Sequence, residues 1–451
     1  MYDYDVAFIG SGHAAWHAAL MLRKAGKRVA FVEEDTVAGT CTNWGCNAKI
    51  LLDTPFDYVD GLERFRGMGI DSVPSVNWKE LMAYKKKVVN PMHTVLEGMF
   101  EQAGMPVYHA HGTLVDAHTI QAGDERITAE TIVIGTGEHP RKLAIPGSEH
   151  IHDSRDFLDL DQFPARIAFI GAGIISMEFA SIAAKLGAET AVIQHDQRIL
   201  GMYPKKYVDR VVQKMEQEGV TFLLDHDVAE VRKAGDAYQL VFADGEALET
   251  DYVLGATGRE ANVEGLGLEA LGIACSSRGI EVDDHMRTSV PNIYASGDCV
   301  AKRIPKLTPT ATFESNYIAA QILGLSDAPI SYPAIPNLVF TLPRISQVGV
   351  TLDEAEKHPE LWRTETVEYG KRLLFEAKNE MDAEFTFVFS KETGLLEGAA
   401  FFGEDAGIWA DLAALVISQK MSGLALSQLI FTFPTESQGM LSLLIPLLPL
   451  K

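Results

Sequence analysis

DVAFIGSGHAA, Asp5 to Ala15, runs from an apolar, β-prone stretch directly into Gly10, Gly12 and Ala15. A helical stretch follows as far as Gly26, and a second apolar strand, RVAFVE, ends at Glu33. This order is the βαβ dinucleotide fingerprint. Small residues let the backbone approach a pyrophosphate at a helix N-terminus, and the acid accepts from a ribose hydroxyl. Small residues at this spacing also build ordinary tight turns. The strand before them and the acid 23 positions after Gly10 decide for nucleotide binding.

The pattern recurs. RIAFIGAGIIS places Gly171, Gly173 and Ser176 after another apolar strand, a helix runs to Gly187, and the strand TAVIQ ends at Gln194. Gln194 follows Gly171 by the same 23 positions that separate Glu33 from Gly10. Two units in one register imply two dinucleotides. Ser176 stands where the smallest residue is wanted, a substitution that close helix–strand packing tolerates at some cost. Gln194 replaces the acid, and His195 and Arg198 follow it. A carboxylate there would repel a 2′-phosphate and an amide does not, so the second unit leans towards NADPH over NADH.

TIVIGTG and YVLGATGRE have the form of strands that end in glycine turns, at Gly137 and Gly258, and are expected to close the two units. NIYASGDCV puts Asp298 at the carboxyl end of a further strand, where ligands bind in open parallel sheets. A structural Gly-Asp turn is the alternative reading of that residue.

Between the units lies GTCTNWGC, with Cys41 and Cys46. From the residues alone the pair is a zinc half-site, a structural staple or a redox pair. Four cysteines in 451 residues do not make a disulfide framework, and a cytoplasmic chain is expected. The first strand begins at Asp5, which leaves no room for a signal peptide. The net charge of −23, from 39 basic and 62 acidic residues, argues against nucleic acid or an anionic membrane as partner. The apolar tail LLIPLLPL is too short and too proline-rich to span a bilayer, and is expected in a dimer interface.

Together, GSGHAA, GTCTNWGCNAK, VIGTG, GAGIISME, GATGR, TSVPNIYASGD and VFTLPRISQVG resemble the class I pyridine nucleotide–disulfide oxidoreductases over essentially the whole chain. The resemblance implies an α/β fold with two nested Rossmann-like domains and an α+β C-terminal dimerisation domain. Residues 1–145 and 260–335 would bind FAD, residues 146–259 NAD(P)H, and residues 336–451 would form a homodimer. It also implies a redox disulfide between Cys41 and Cys46. A zinc site would need a second pair of ligands, and none is near, so no metal is expected. Cys275 and Cys299 are solitary and read as core thiols.

By the same carry-over, Cys46 is the thiol beside the flavin and Cys41 the interchange thiol that attacks substrate. Lys49 pairs with Glu178 beside the flavin's reactive nitrogen, and Asp298 binds the ribityl chain. Gly10, Gly12, Ala15, Glu33 and Gly137 belong to the FAD site, and Gly171, Gly173, Gln194, Arg198 and Gly258 to the second nucleotide.

The family pattern breaks near the end. Where members carry H-P-T-x-x-E, whose histidine serves the partner subunit's active site, this chain reads FPTESQ, with Phe433 and Gln438 in place of the acid–base pair. Phenylalanine cannot carry a proton, and that chemistry is worth roughly 10²–10⁴-fold. His13, Trp16 and His17 are expected on the first turns of the helix after the fingerprint, with His13 as a substitute proton donor. Leu20 stands where glutathione reductases place an arginine, which counts against glutathione. The function expected is an FAD-dependent NAD(P)H oxidoreductase acting through Cys41–Cys46 on an unusual disulfide or other small acceptor. The alternatives are a metal-ion or quinone reductase and a non-enzymatic redox sensor.

Overall fold

A computed structural model describes residues 1–450. The run Val6–Ile9 is buried on both faces, as its unbroken apolar sequence requires of a central parallel strand. The strand Tyr4–Ile9 pairs in parallel with Val29–Glu33 on one side and Glu125–Ile134 on the other. Val107–His109 extends the sheet in parallel, and Ile293–Ala295 returns to pair with Glu125–Ile134. Two antiparallel strands, Gly112–Asp116 and Thr119–Ala122, complete its far edge.

The second sheet repeats the plan with four parallel strands, in the order Val220–Leu224, Glu189–Gln194, Arg166–Ile170, Tyr252–Gly255. An antiparallel three-stranded sheet from residues 228–250 follows within it. The two glycine turns meet in a short ribbon, where Glu138–Pro140 pairs with Arg259–Ala261 and the Arg141 N–H donates to the Gly258 carbonyl at 3.0 Å.

From Asn337 onward a five-stranded antiparallel sheet packs against the helix Ala406–Ser418, around Trp409, Phe385 and Phe401. Leu441, Leu444 and Leu448 are buried in this same core. Leu444 and Leu448 of the apolar tail thus pack within their own chain, while Leu450 is 72% exposed. Leu441 and Leu444 lie on the inner face of the helix Glu436–Leu444, and Leu448 follows it. No helix among the described residues is long and apolar enough to cross a membrane.

The cysteines divide. Cys299 is buried, but Cys275 is exposed on a two-residue strand, Cys275–Ser276, and is no core thiol.

Candidate active site

The 23-residue spacing is a hydrogen bond. The Ser11 N–H donates to Glu33 Oε2 at 2.9 Å, and at the equivalent place the Ala172 N–H donates to Gln194 Oε1 at 3.0 Å. In each unit the last residue of the second strand grips the amide between the first two glycines. Only glycine fits at the turn itself: Gly10 has φ +95°, and a Cβ would meet the Gly135 carbonyl oxygen at 2.5 Å. Gly171 repeats this with φ +98° and the Ala256 oxygen at 2.6 Å. A Cβ on Gly173 would meet nothing within 4 Å, which leaves open space at the second helix N-terminus. The sequence missed Ser11, whose hydroxyl adds a second bond to Glu33 at 2.6 Å. Its signal was a hydroxyl between two glycines.

A cavity of about 740 Å³ runs from Gly10, Gly12 and Glu33 past Gly137 to Cys41 and Cys46. It joins the buried Glu33 carboxylate to the thiol pair. Asp298 lines it, and its buried Oδ1 has no hydrogen-bond partner. Burial pushes the Asp298 carboxyl up, against the pull of Lys302. Glu314, fully buried, fixes the loop by accepting from the Gly297 N–H at 2.7 Å. An orphaned carboxylate oxygen in a long cleft behind a nucleotide fingerprint fits the polyol chain of FAD.

The cysteines lie on either side of a break. Gly39–Trp44 is one helix, Gly45 leaves it at φ −138° and ψ −117°, and Cys46 opens the helix Cys46–Glu63. A side chain at residue 45 would press on the Cys41 Cα at 3.0 Å, so glycine there brings the two helical turns together. Both thiols are free, the dithiol form of the pair. The Cys46 thiol is held down at about 6, chiefly because Cys41 donates to it, aided by the Thr308 hydroxyl and the Lys49 charge against partial burial. Thr308 Oγ1 lies 3.4 Å from Cys46 Sγ. Cys41 moves the opposite way, well above an ordinary thiol, because it is the donor in that bond and is half-buried. Thr308, first residue of the helix Thr308–Ile322, was missed; its signal was a threonine–proline helix start.

One helical turn beyond Cys46, Lys49 Nζ lies 3.0 Å from a Glu178 carboxylate that is almost fully buried. Glu178 Oε1 also accepts from the Phe340 N–H at 2.9 Å, and Lys49 sits 4.0 Å over the Phe340 ring. The pair thus joins the redox helix, the second nucleotide unit and the C-terminal sheet.

Around the second unit, Gln194 Nε2 donates to Asp196 Oδ1 at 2.7 Å, and Arg198 Nε donates to Asp196 Oδ2 at 3.1 Å. Arg198 is therefore neutralised by a carboxylate that the spacing rule did not count. The hydrogen bonds from Gln194 and Arg198 lower Asp196 to about 2.

His13 lies before the helix, not on it. The helix is Trp16–Lys24, and the Ala15 and Trp16 amides both turn back to the Gly12 carbonyl. His13 Nδ1 is 3.0 Å from His17 Nε2, and His17 stacks on Trp16. Burial lowers His13, and burial with repulsion from His13 lowers His17 to about 4. Leu20 packs against the first core.

Phe433 is 79% exposed, while Gln438 donates along its own helix to Ser442 Oγ at 2.7 Å. Glu436, the one carboxylate of that stretch, turns inward to Lys378 at 2.8 Å.

Residues 4–315 match the family described as pyridine nucleotide-disulphide oxidoreductase, and residues 335–443 match its dimerisation domain. The chain belongs to this family. It is 32% identical over 365 residues to a dihydrolipoyl dehydrogenase of Chlamydia muridarum, covering 78% of this chain and 77% of that one. It is also 32% identical over 356 residues to a glutathione reductase of Burkholderia cepacia, covering 78% and 79%. A copper(II) complex of the HOCl-induced flavoprotein disulfide reductase RclA from Escherichia coli shares its fold. The TM-score is 0.88 at 23% identity, over 98% of this chain and 99% of that one. The protein is a flavin-dependent NAD(P)H oxidoreductase of the disulfide reductase type, with two Rossmann-like domains and a C-terminal dimerisation domain.

Proposed function

We propose that the enzyme passes electrons from NAD(P)H to the Cys41–Cys46 pair, and on to an acceptor that needs no proton from the partner subunit. The observation that carries this is the paired replacement at Phe433 and Gln438. In this reading residues 1–145 and 260–335 hold FAD, residues 146–259 hold the nicotinamide coenzyme and residues 336–451 form the homodimer.

FAD, when bound, supplies the two-electron carrier between the nicotinamide and the disulfide. Gly10, Gly12 and Ala15 accommodate its pyrophosphate, Glu33 its ribose, and Gly137 and Asp298 the path to the flavin. Lys49, fixed by Glu178, places a positive charge beside the redox helix. Cys46 is the thiol beside the flavin, a role supported by its low pKa at about 6. Cys41, the donor to it, is the interchange thiol and attacks the acceptor once its proton is taken.

His13 lines the same cavity as both cysteines and is the candidate for taking that proton. Being neutral, it acts as base and not as a store of protons. Gly171 and Gly173 receive the coenzyme's pyrophosphate, with Gly258 at the turn that closes the unit. Gln194 takes a ribose hydroxyl. The lean towards NADPH weakens, because Asp196 restores a carboxylate beside Gln194 and occupies Arg198. The enzyme is proposed to use both coenzymes with little discrimination, and to work in the cytoplasm on small molecules.

The acceptor is an activated disulfide whose thiol leaves without protonation. A second reading, a quinone, is favoured by the exposed Phe433 ring, which puts apolar surface where the family motif carries a proton-bearing group. Steady-state NAD(P)H consumption over aromatic disulfides, dialkyl disulfides, quinones and metal ions tests the proposal. Fast turnover of glutathione disulfide or lipoamide, at hundreds per second, would refute it. No turnover of any acceptor would favour a redox sensor.

A further inference from the structure

The FAD cleft is rich in carboxylates, yet it must take a doubly charged pyrophosphate. Of the cations that line it, Lys306 and Arg259 both face Glu138, whose side chain is only 9% exposed. Arg155 is differently placed. Its Nη2 lies 2.9 Å from Asp35 Oδ2, in a pair that is half exposed on both sides, 45% and 52%. Such a pair holds weakly and exchanges its partner at little cost. Its guanidinium carbon also lies 3.2 Å from the centre of the Trp44 ring, a stack that fixes the plane of the group while leaving its edges free to donate.

These two contacts locate Arg155 along the cofactor. The Asp35 N–H donates to Glu33 Oε1 at 3.0 Å, so Asp35 marks the ribose end of the cleft. Trp44 stands two residues before Cys46 and marks the flavin end. A side chain that touches both stands over the middle, where the pyrophosphate must cross. Arg155 comes from the helix Ser154–Leu158, outside the first nucleotide unit.

We propose that Arg155 binds the FAD pyrophosphate, exchanging the Asp35 carboxylate for phosphate oxygens while Trp44 holds its plane. A guanidinium donates to phosphate in a two-pronged geometry that lysine cannot copy. No bond is made or broken; one ion pair replaces another. The exchange couples cofactor retention to the segment that leads into the second nucleotide unit.

Apoprotein titrated with FAD and with riboflavin, followed by quenching of flavin fluorescence, tests this. Arg155→Ala should weaken FAD roughly 10- to 100-fold, the loss of a charge-assisted pair, and leave riboflavin unchanged because it has no phosphate. Arg155→Lys should fall between. Asp35→Asn removes the competing carboxylate and should leave FAD affinity unchanged or raise it. The proposal fails if Arg155→Ala alters FAD affinity by less than about two-fold or weakens riboflavin equally. It also fails if Asp35→Asn weakens FAD as much as Arg155→Ala, which would mark the ion pair as structural. If the unaltered chain does not bind FAD at all, the flavoprotein assignment itself falls.

Discussion

Cys46 offers the sharpest quantitative test, because three groups act on one sulfur. An ordinary thiol titrates near 8.5 and is about 3% thiolate at pH 7. At about 6, Cys46 is roughly 90% thiolate at the same pH. A thiolate against oxidised flavin gives a long-wavelength absorbance band in the two-electron-reduced protein, so the band reports that fraction directly. The thiolate is the high-pH form, and the band should fade as pH falls through about 6. Cys41→Ala removes the leading cause, the thiol that donates to Cys46, and should move the midpoint up towards 8.5. Cys41→Ser keeps a donor and should move it less. Thr308→Val and Lys49→Met should each move it in the same direction by smaller amounts, since each removes a lesser stabiliser of the anion. Cys46→Ser should abolish the band. A native midpoint near 8.5, or one indifferent to Cys41→Ala, would refute this account of the site. A band that survives Cys46→Ser would reverse the roles of the two sulfurs.

Phe433→His with Gln438→Glu should raise turnover of ordinary dialkyl disulfides, by up to roughly 10²-fold, and either change alone should do much less, measured as kcat with excess coenzyme. Asp196→Asn frees Arg198 and removes a negative charge, so the ratio of kcat/KM for NADPH over NADH should rise; an unchanged ratio would place the 2′-phosphate elsewhere. Ser176 is fully buried with no partner for its hydroxyl, so Ser176→Ala should stabilise the fold by roughly 1 kcal/mol in denaturant unfolding.

Sequence reasoning reached far wherever one unit explained itself. The two fingerprints were legible because the constraint is local: a glycine at φ above +90°, and an amide gripped from the next strand. The redox pair, Lys49 and Glu178 were legible through the family's motifs, and the structure brings Lys49 and Glu178 together at 3.0 Å. What escaped were meetings between segments far apart in sequence. Arg155 and Trp44 are 111 positions apart, and neither carries a pattern that names the other. Asp196 was overlooked because the rule for coenzyme choice counts the last strand residue and not its hydrogen-bond partner. Cys275 read as core because free cysteine usually is; a two-residue surface strand gives no periodicity to contradict it.

The last turn of the chain carries the strongest argument about what has changed. Thr435 still caps the helix Glu436–Leu444, its hydroxyl accepting from the Gln438 N–H at 3.2 Å. The start of that helix is therefore capped, and Phe433, just before it, is exposed. Glu436 is tied inward to Lys378, and Phe433 and Gln438 stand where the family motif carries its acid–base pair. The residues assigned above to the proposed electron path, from Gly10 and Asp298 to Cys46, line one cavity, with Lys49 one helical turn beyond Cys46. Cys41 donates to Cys46 and holds its thiol down, which keeps the pair reactive. On the proposed function, the difference from the family pattern lies at the acceptor. In the proposed reading, the exposed Phe433 ring beside a capped helix suits an acceptor that needs neither a proton nor a charged grip.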